Sequence, residues 1–256
     1  MKSGTPMKTF LIALACLGLA ACFTIGDSRR PISSETFAAP ADSMRRPLVI
    51  VLPGFGVGMQ EMKHRGVAQA IQEAWPEAEV QLADATFAYY RDGNLIQRLH
   101  EEVIGPAARA DRRIWLVGAS LGGMGVLLYE HEHPGELAGI VLFAPFLGDR
   151  RLLEEISAAG GARAWNPGPA PAEATSENYQ REVWRMIKTW AERPETAPPV
   201  WLACGDEDRL VAGARLLAAT LPPGRYFELR GGHTWNTWLN GGKTVFANVR
   251  ATSGNL

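Results

Sequence analysis

A serine flanked by glycines two residues before and two residues after stands at Gly118-Ala119-Ser120-Leu121-Gly122. A free serine hydroxyl is a weak nucleophile. It needs a base to take its proton and donors to hold the oxyanion formed when it attacks a carbonyl. Glycines at those two places keep Cβ atoms out of a sharp strand-to-helix turn, which leaves the serine Oγ exposed for attack. Alone the pattern is weak, because nine serines and 27 glycines in 256 residues supply roughly 0.1 matches per chain by chance. Its context is stronger. Ile114 to Val117 predicts a strand before it, and Leu121 to about Glu130 predicts a helix after it, with Gly123 and Gly125 allowing close backbone packing.

The elements that must position such a serine follow the same alternation. Leu48-Val49-Ile50-Val51-Leu52 is a continuous apolar run ending at Pro53-Gly54. A strand buried on both faces needs such a run, as in a mostly parallel sheet under helices. Met62, Ala68, Ile71 and Trp75 recur at helical spacing and predict a helix over 59–75; a strand near 79–84 and a helix near 94–108 come next. Further strands are predicted over 139–143, 200–203 and 225–229, with a last helix near 237–249. This order implies a doubly wound, mostly parallel sheet with helices on both faces. Residues 149–198 break the rhythm. Leu152, Leu153, Ile156 and Ala159 fit one amphipathic helix, and Val183, Trp184, Ile187 and Trp190 fit another. Between them, Asn166-Pro167-Gly168-Pro169-Ala170-Pro171 reads as loop. The segment is predicted to be a short helical cap insertion, placed where a lid would sit.

Composition bounds the rest. The length suits one α/β domain, 46% hydrophobic content allows a sizeable core, and a net charge of −1 draws nothing towards nucleic acid. The N-terminus carries an address. Lys2 and Lys8 precede an apolar run, Phe10 to Ala21, too short to span a bilayer that needs about 20 residues. Leu19-Ala20-Ala21-Cys22 resembles a bacterial lipoprotein box. The resemblance implies a signal over 1–21, a lipidated Cys22 as mature first residue, and a membrane-anchored place in the cell envelope, periplasmic or on its outer face. A secreted or periplasmic soluble protein is the alternative. Residues 22–46, rich in Ser, Pro, Ala and Arg, read as a flexible tether before a domain over 47–256. Cleavage before Cys22 leaves Cys204 as the single free thiol and no disulfide, so stability must come from the core.

By motif and element order, residues 47–250 resemble the α/β-hydrolase family. That resemblance implies an α/β fold of the α/β-hydrolase type and a triad in the chain order serine, acid, histidine. Val200 to Val211 looks like the family's acid loop, a strand followed by Gly-x-x-Asp-x-x-Val, which selects Asp208; Asp206 and the more remote Asp149 stay open as alternatives. Gly231-Gly232-His233-Thr234-Trp235 is similar to the histidine loop, and His233 is the only histidine after the acid. The oxyanion hole implied is the backbone N–H of Leu121 with that of Phe55, from the loop Pro53-Gly54-Phe55-Gly56. The family often has His-Gly-x-Gly there; Pro53 departs from it and weakens a subfamily assignment, though not the donor.

The remaining motifs read blandly. His131 and His133 end a helix before Pro134 and point apart at i and i+2, so no metal is expected. His64 and His100 lie in helical stretches, and neither a dinucleotide fingerprint nor a Walker lysine is present, so no cofactor is expected. Phe55, Trp235, Trp238 and Trp165 suggest a pocket for an apolar acyl or alkyl group, whereas Trp184 and Trp190 read as helix packing. The expectation is a serine hydrolase acting on a small ester, thioester or acyl substrate, with the membrane as its contact through the anchor; the sequence designates no protein partner. Two alternatives stand beside it: an idle lipoprotein of the same fold used for binding or envelope assembly, and an acyltransferase or perhydrolase with the same triad.

Overall fold

The computed structural model describes residues 24–41, 46–110 and 112–253. The signal segment expected over 1–21 and the lipidation site expected at Cys22 lie outside the described residues. The strands are β1 (Ser34–Phe37), β2 (Leu48–Leu52), β3 (Glu79–Ala83), β4 (Ile114–Ala119), β5 (Gly139–Phe143), β6 (Val200–Gly205) and β7 (Tyr226–Leu229). They form one sheet in the order β1-β3-β2-β4-β5-β6-β7, with β1 antiparallel to β3 and every other pairing parallel.

The helices are α1 (Met59–His64), α2 (Val67–Ala74), α3 (Phe87–Arg91), α4 (Leu95–Leu99), α5 (Gly105–Arg109), α6 (Leu121–Glu132), α7 (Arg150–Ala158), α8 (Tyr179–Glu192), α9 (Val211–Ala218) and α10 (Trp235–Ser253). They cover both faces of the sheet. Because side chains alternate along a strand, Leu48, Ile50 and Leu52 enter one core with residues of α4 and α6 to α9. Val49 and Val51 enter a second core with α1, α2 and α10. Both layers need apolar side chains, which is why β2, β5 and β6 are buried at every position. This is the α/β-hydrolase fold.

The helix predicted over 59–75 is two helices, because Gly66 takes a left-handed φ of 69° between them. The helix predicted over 94–108 is interrupted by a π-helical turn, His100–Ile104. Pro106 lacks the N–H that an α-helix would send back to the Glu102 carbonyl, so the ladder changes register just before it. Within the predicted tether, residues 34–37 form β1, an edge strand registered from Ser34 opposite Ala83 to Phe37 opposite Val80. Its four residues, Ser-Glu-Thr-Phe, bury one face only partly, so they carry no apolar run to announce them.

In the insertion, Val183, Trp184 and Ile187 of α8 are fully buried in the same core as the sheet, and Trp184 Nε1 donates to the Leu147 carbonyl at 2.6 Å. The Asp149 side chain accepts from the Leu152 N–H at 2.9 Å and caps α7. That gives this candidate acid a structural task.

Candidate active site

Ser120 is the single residue between β4 and α6. Its backbone sits at φ 54°, ψ −118°, a conformation that costs a non-glycine residue energy and persists only where the surroundings impose it. The end of β5 and the loop that follows it do so. The Ser120 N–H donates to the Phe143 carbonyl at 2.9 Å, and the Phe146 N–H donates to the Ser120 carbonyl at 2.9 Å. A Cβ on Gly118 would run into the backbone of Gly122, so the turn closes only with glycine there. As the first residue of α6, Leu121 has no intrahelical acceptor for its N–H.

Asp208 follows β6 and is 2% exposed. Its two oxygens lie 2.9 and 2.8 Å from His233 Nδ1, and the Leu210 N–H donates to Oδ1 at 2.8 Å. An ionised carboxylate only accepts, so Nδ1 carries the hydrogen and the lone pair stands on Nε2. His233 lies between β7 and α10, and its ring meets Trp238 edge-on at 4.8 Å. The loops are stitched together: Asp206 Oδ1 accepts from the Gly231 N–H at 2.9 Å, and the Glu207 N–H donates to the Gly231 carbonyl at 3.1 Å. A Cβ on Gly205 would strike that same carbonyl. The structure therefore brings Asp208, rather than Asp206, to the imidazole. Among the described residues the Ser120 hydroxyl makes no hydrogen bond to His233. Cys204 offers no rival nucleophile, since burial, with the Asp208 charge adding, pushes its thiol up to about 12.

Ser120, Asp208, His233 and the Pro53–Gly56 loop all follow the carboxyl ends of parallel strands, where open α/β sheets form their sites. The loop lies against the nucleophile: a Cβ on Gly54 would be 3.6 Å from the Ser120 Cβ. An apolar cavity of about 50 Å³ has Gly54, Ala119, Phe143, Trp235, Trp238 and Phe246 in its lining, and meets the nucleophile through its neighbour Ala119 rather than through Ser120 or His233 themselves. Trp165 is not part of that lining. It is buried in the insertion, where Nε1 donates to Glu155 at 2.8 Å and the Arg181 guanidinium lies 5.2 Å from the ring centroid.

At the other end of α6, His100, His133 and Glu136 place their ligating atoms within 4.8 Å of one another. The two imidazoles stack at 4.0 Å, His100 Nδ1 lies 2.9 Å from the Tyr129 hydroxyl, and that hydroxyl donates to Glu136 at 2.6 Å. Spacing along α6 sets His133 only against His131. Its actual partner, His100, comes from the π-helical turn, which lies far away in sequence.

The model of the Esterase family matches residues 35–240. This chain belongs to the Esterase family. The esterase is a carboxylic ester hydrolase. No curated protein matches its sequence. Among solved structures the esterase is similar to Est1E from Butyrivibrio proteoclasticus, at 17% identity and TM-score 0.63, covering 91% of this chain and 98% of that one. It is also similar to the S-formylglutathione hydrolase FrmB of Staphylococcus aureus, at 13% identity and TM-score 0.58, covering 88% and 100%. A third likeness is to FphF, a fluorophosphonate-binding serine hydrolase of Staphylococcus aureus, at 12% identity and TM-score 0.54, covering 86% and 99%. At such identities the likeness concerns the fold.

Proposed function

We propose that the esterase cleaves a carboxylic ester or thioester through an acyl-enzyme on Ser120. His233 Nε2 takes the hydroxyl proton as Oγ bonds to the acyl carbon, and the carbonyl oxygen becomes an oxyanion held by the Phe55 and Leu121 N–H groups. Collapse of this tetrahedral species breaks the bond to the alcohol or thiol, which leaves with the proton from His233. Water then attacks the acyl-enzyme with the same base, releasing the acid and restoring Ser120. Asp208 fixes the imidazole tautomer and stabilises its positive charge. The observation that carries this reading is the paired Asp208 carboxylate on Nδ1, which leaves Nε2 basic. The bond from Ser120 to Nε2 then closes in the substrate complex, as catalytic hydrogen bonds in empty sites commonly do. The strained backbone of Ser120 and the apolar cavity that its neighbours Ala119 and Gly54 help to line support the same reading, with Trp235 and Trp238 facing an apolar acyl group.

The mature protein is proposed to hang from the bacterial envelope membrane by acyl chains on Cys22, in the periplasm or on the outer face. Among the described residues no helix is long and apolar enough to cross a membrane.

Nitrophenyl esters of increasing acyl length test the reaction. A burst of nitrophenol in wild type, with an acyl adduct mapped to the Ser120 peptide, is expected. Folded Ser120→Ala should lose the burst and the adduct and fall by on the order of 10⁶ in kcat; turnover near that of wild type there refutes the mechanism. Palmitate labelling that persists in Cys22→Ser would refute the anchor.

A further inference from the structure

Two large hydrophobic side chains stand exposed among the described residues, Ile25 at 44% and Phe55 at 52%. Scattered singly they would need no explanation. These two share one rim. The Thr24 N–H donates to the carbonyl of Gly56, the residue after Phe55, at 2.8 Å. The Ala88 N–H donates to the Ile25 carbonyl at 2.8 Å, and the neighbouring Phe87 packs edge-on against Phe55 at 4.8 Å. Three chain segments thus gather apolar side chains beside the oxyanion loop.

The chain that leads into this rim carries the second observation. Cys22 is two residues before Thr24 in the sequence, and the described chain begins at Thr24, on this rim. Residues 28–37 are tied to the domain rather than left as a loose spacer. The Ser28 hydroxyl bonds to Asp92 at 2.5 Å, Arg98 reaches the Ser28 carbonyl at 3.0 Å, Glu102 accepts from the Ile32 N–H at 2.6 Å, and β1 is stitched to β3. The described chain thus begins beside the loop that follows β2, on a segment fixed to the domain.

We propose that the rim formed by Ile25 and Phe55 docks on a phospholipid bilayer and presents Ser120 to acyl esters held in that bilayer. The proposal rests on the hydrolase reading and on the acylated Cys22. Apolar tips of this kind enter the boundary between headgroups and acyl chains. Arg29 and Arg30, with side chains 88% and 83% exposed, stand on the same segment and share Asp27 as ion-pair partner at 2.8 and 3.8 Å, which leaves the segment one net positive charge to face anionic headgroups. The substrate class this selects is an ester with an apolar tail partitioned into the membrane.

The test uses the full-length acylated protein in vesicles of phosphatidylethanolamine and phosphatidylglycerol. Ile25→Cys and, at the far end of α6, Glu132→Cys are each labelled with an environment-sensitive nitrobenzoxadiazole dye. Blue-shifted emission at position 25 with water-like emission at position 132 is expected; water-like emission at both overturns the proposal. Turnover gives the second readout. Ile25→Asp should lower hydrolysis of vesicle-borne nitrophenyl palmitate about tenfold while dissolved nitrophenyl acetate changes less than about twofold. Retained acetate turnover shows that the variant folds, and Ile25→Ser repeats the comparison without a charge. Unchanged palmitate turnover in both variants overturns the docking. If wild type hydrolyses neither ester, the hydrolase reading falls, and the emission at position 25 still decides the docking.

Discussion

Both oxygens of the Asp208 carboxylate lie within 2.9 Å of His233 Nδ1, while Asp206, two residues earlier, spends its Oδ1 on the Gly231 N–H. Two neighbouring acids therefore do different work, one on the imidazole and one on the loop that carries it. Asp208→Asn presents a donor or the wrong tautomer to Nδ1 and should lower kcat by about 10³–10⁴. Asp206→Asn keeps an oxygen that can accept from Gly231 and should retain most of the activity. Steady-state kinetics of the two variants decides between them, and a reversed order would reassign the acid.

Close approach of the two loops sets a second prediction. A methyl group on Gly205 meets the Gly231 carbonyl, which is backbone and yields little. Gly205→Ala should cost about 1–3 kcal/mol of stability and lower kcat more than it changes KM, because it pushes the histidine loop from the acid. Denaturant unfolding and kinetics on one ester series measure both.

Glu130 gives a pH dependence away from the chemistry. It is buried; one oxygen accepts from the Gly135 N–H at 3.3 Å and the other has no partner among the described residues. Burial pushes its carboxyl up to about 7 from the usual 4.5. The folded state therefore binds the proton more tightly than the unfolded chain, so this group's contribution is intact below about pH 4.5 and is lost as pH rises through about 7. Glu130→Gln should stabilise the protein by on the order of 2 kcal/mol at about pH 8 and by nothing near pH 4. Thermal melts at the two pH values check it; an equal effect at both would contradict the shift.

Trp165 and Trp238 should separate packing from substrate contact. Trp165 is buried within the insertion, so Trp165→Ala should cost about 3–5 kcal/mol of stability with little change in ester preference. Trp238 touches His233 and lines the cavity, so Trp238→Ala should alter KM and the preferred acyl length. Profiles across the nitrophenyl ester series, set beside unfolding curves, read the two effects apart.

Much of this was legible in the sequence where apolar runs and glycine spacing leave few choices. β2, β4, β5 and β6 announce themselves because strands covered on both faces must be apolar throughout. The pentapeptide at Ser120 marks the elbow because only glycine fits at 118. Features that stayed hidden depended on partners distant in sequence. β1 is a short edge strand whose identity comes from pairing with β3, not from its own residues. The His100, His133 and Glu136 group is assembled by a π-helical turn that no local spacing foretells. Trp165 suggested a pocket because it lies in the insertion, yet its indole donates to Glu155 and its ring packs inward. The fixing of residues 24–37 to the domain was invisible in a stretch whose composition reads as linker.

The proposed reaction stands or falls with the Ser120 Oγ as nucleophile. Treatment of the folded esterase with a fluorophosphonate probe, followed by peptide mapping, tests it most directly. One phosphonylated residue, Ser120, is predicted, with labelling abolished in Ser120→Ala and strongly slowed in His233→Ala. No labelling of folded wild type, or equal labelling of Ser120→Ala, would contradict it.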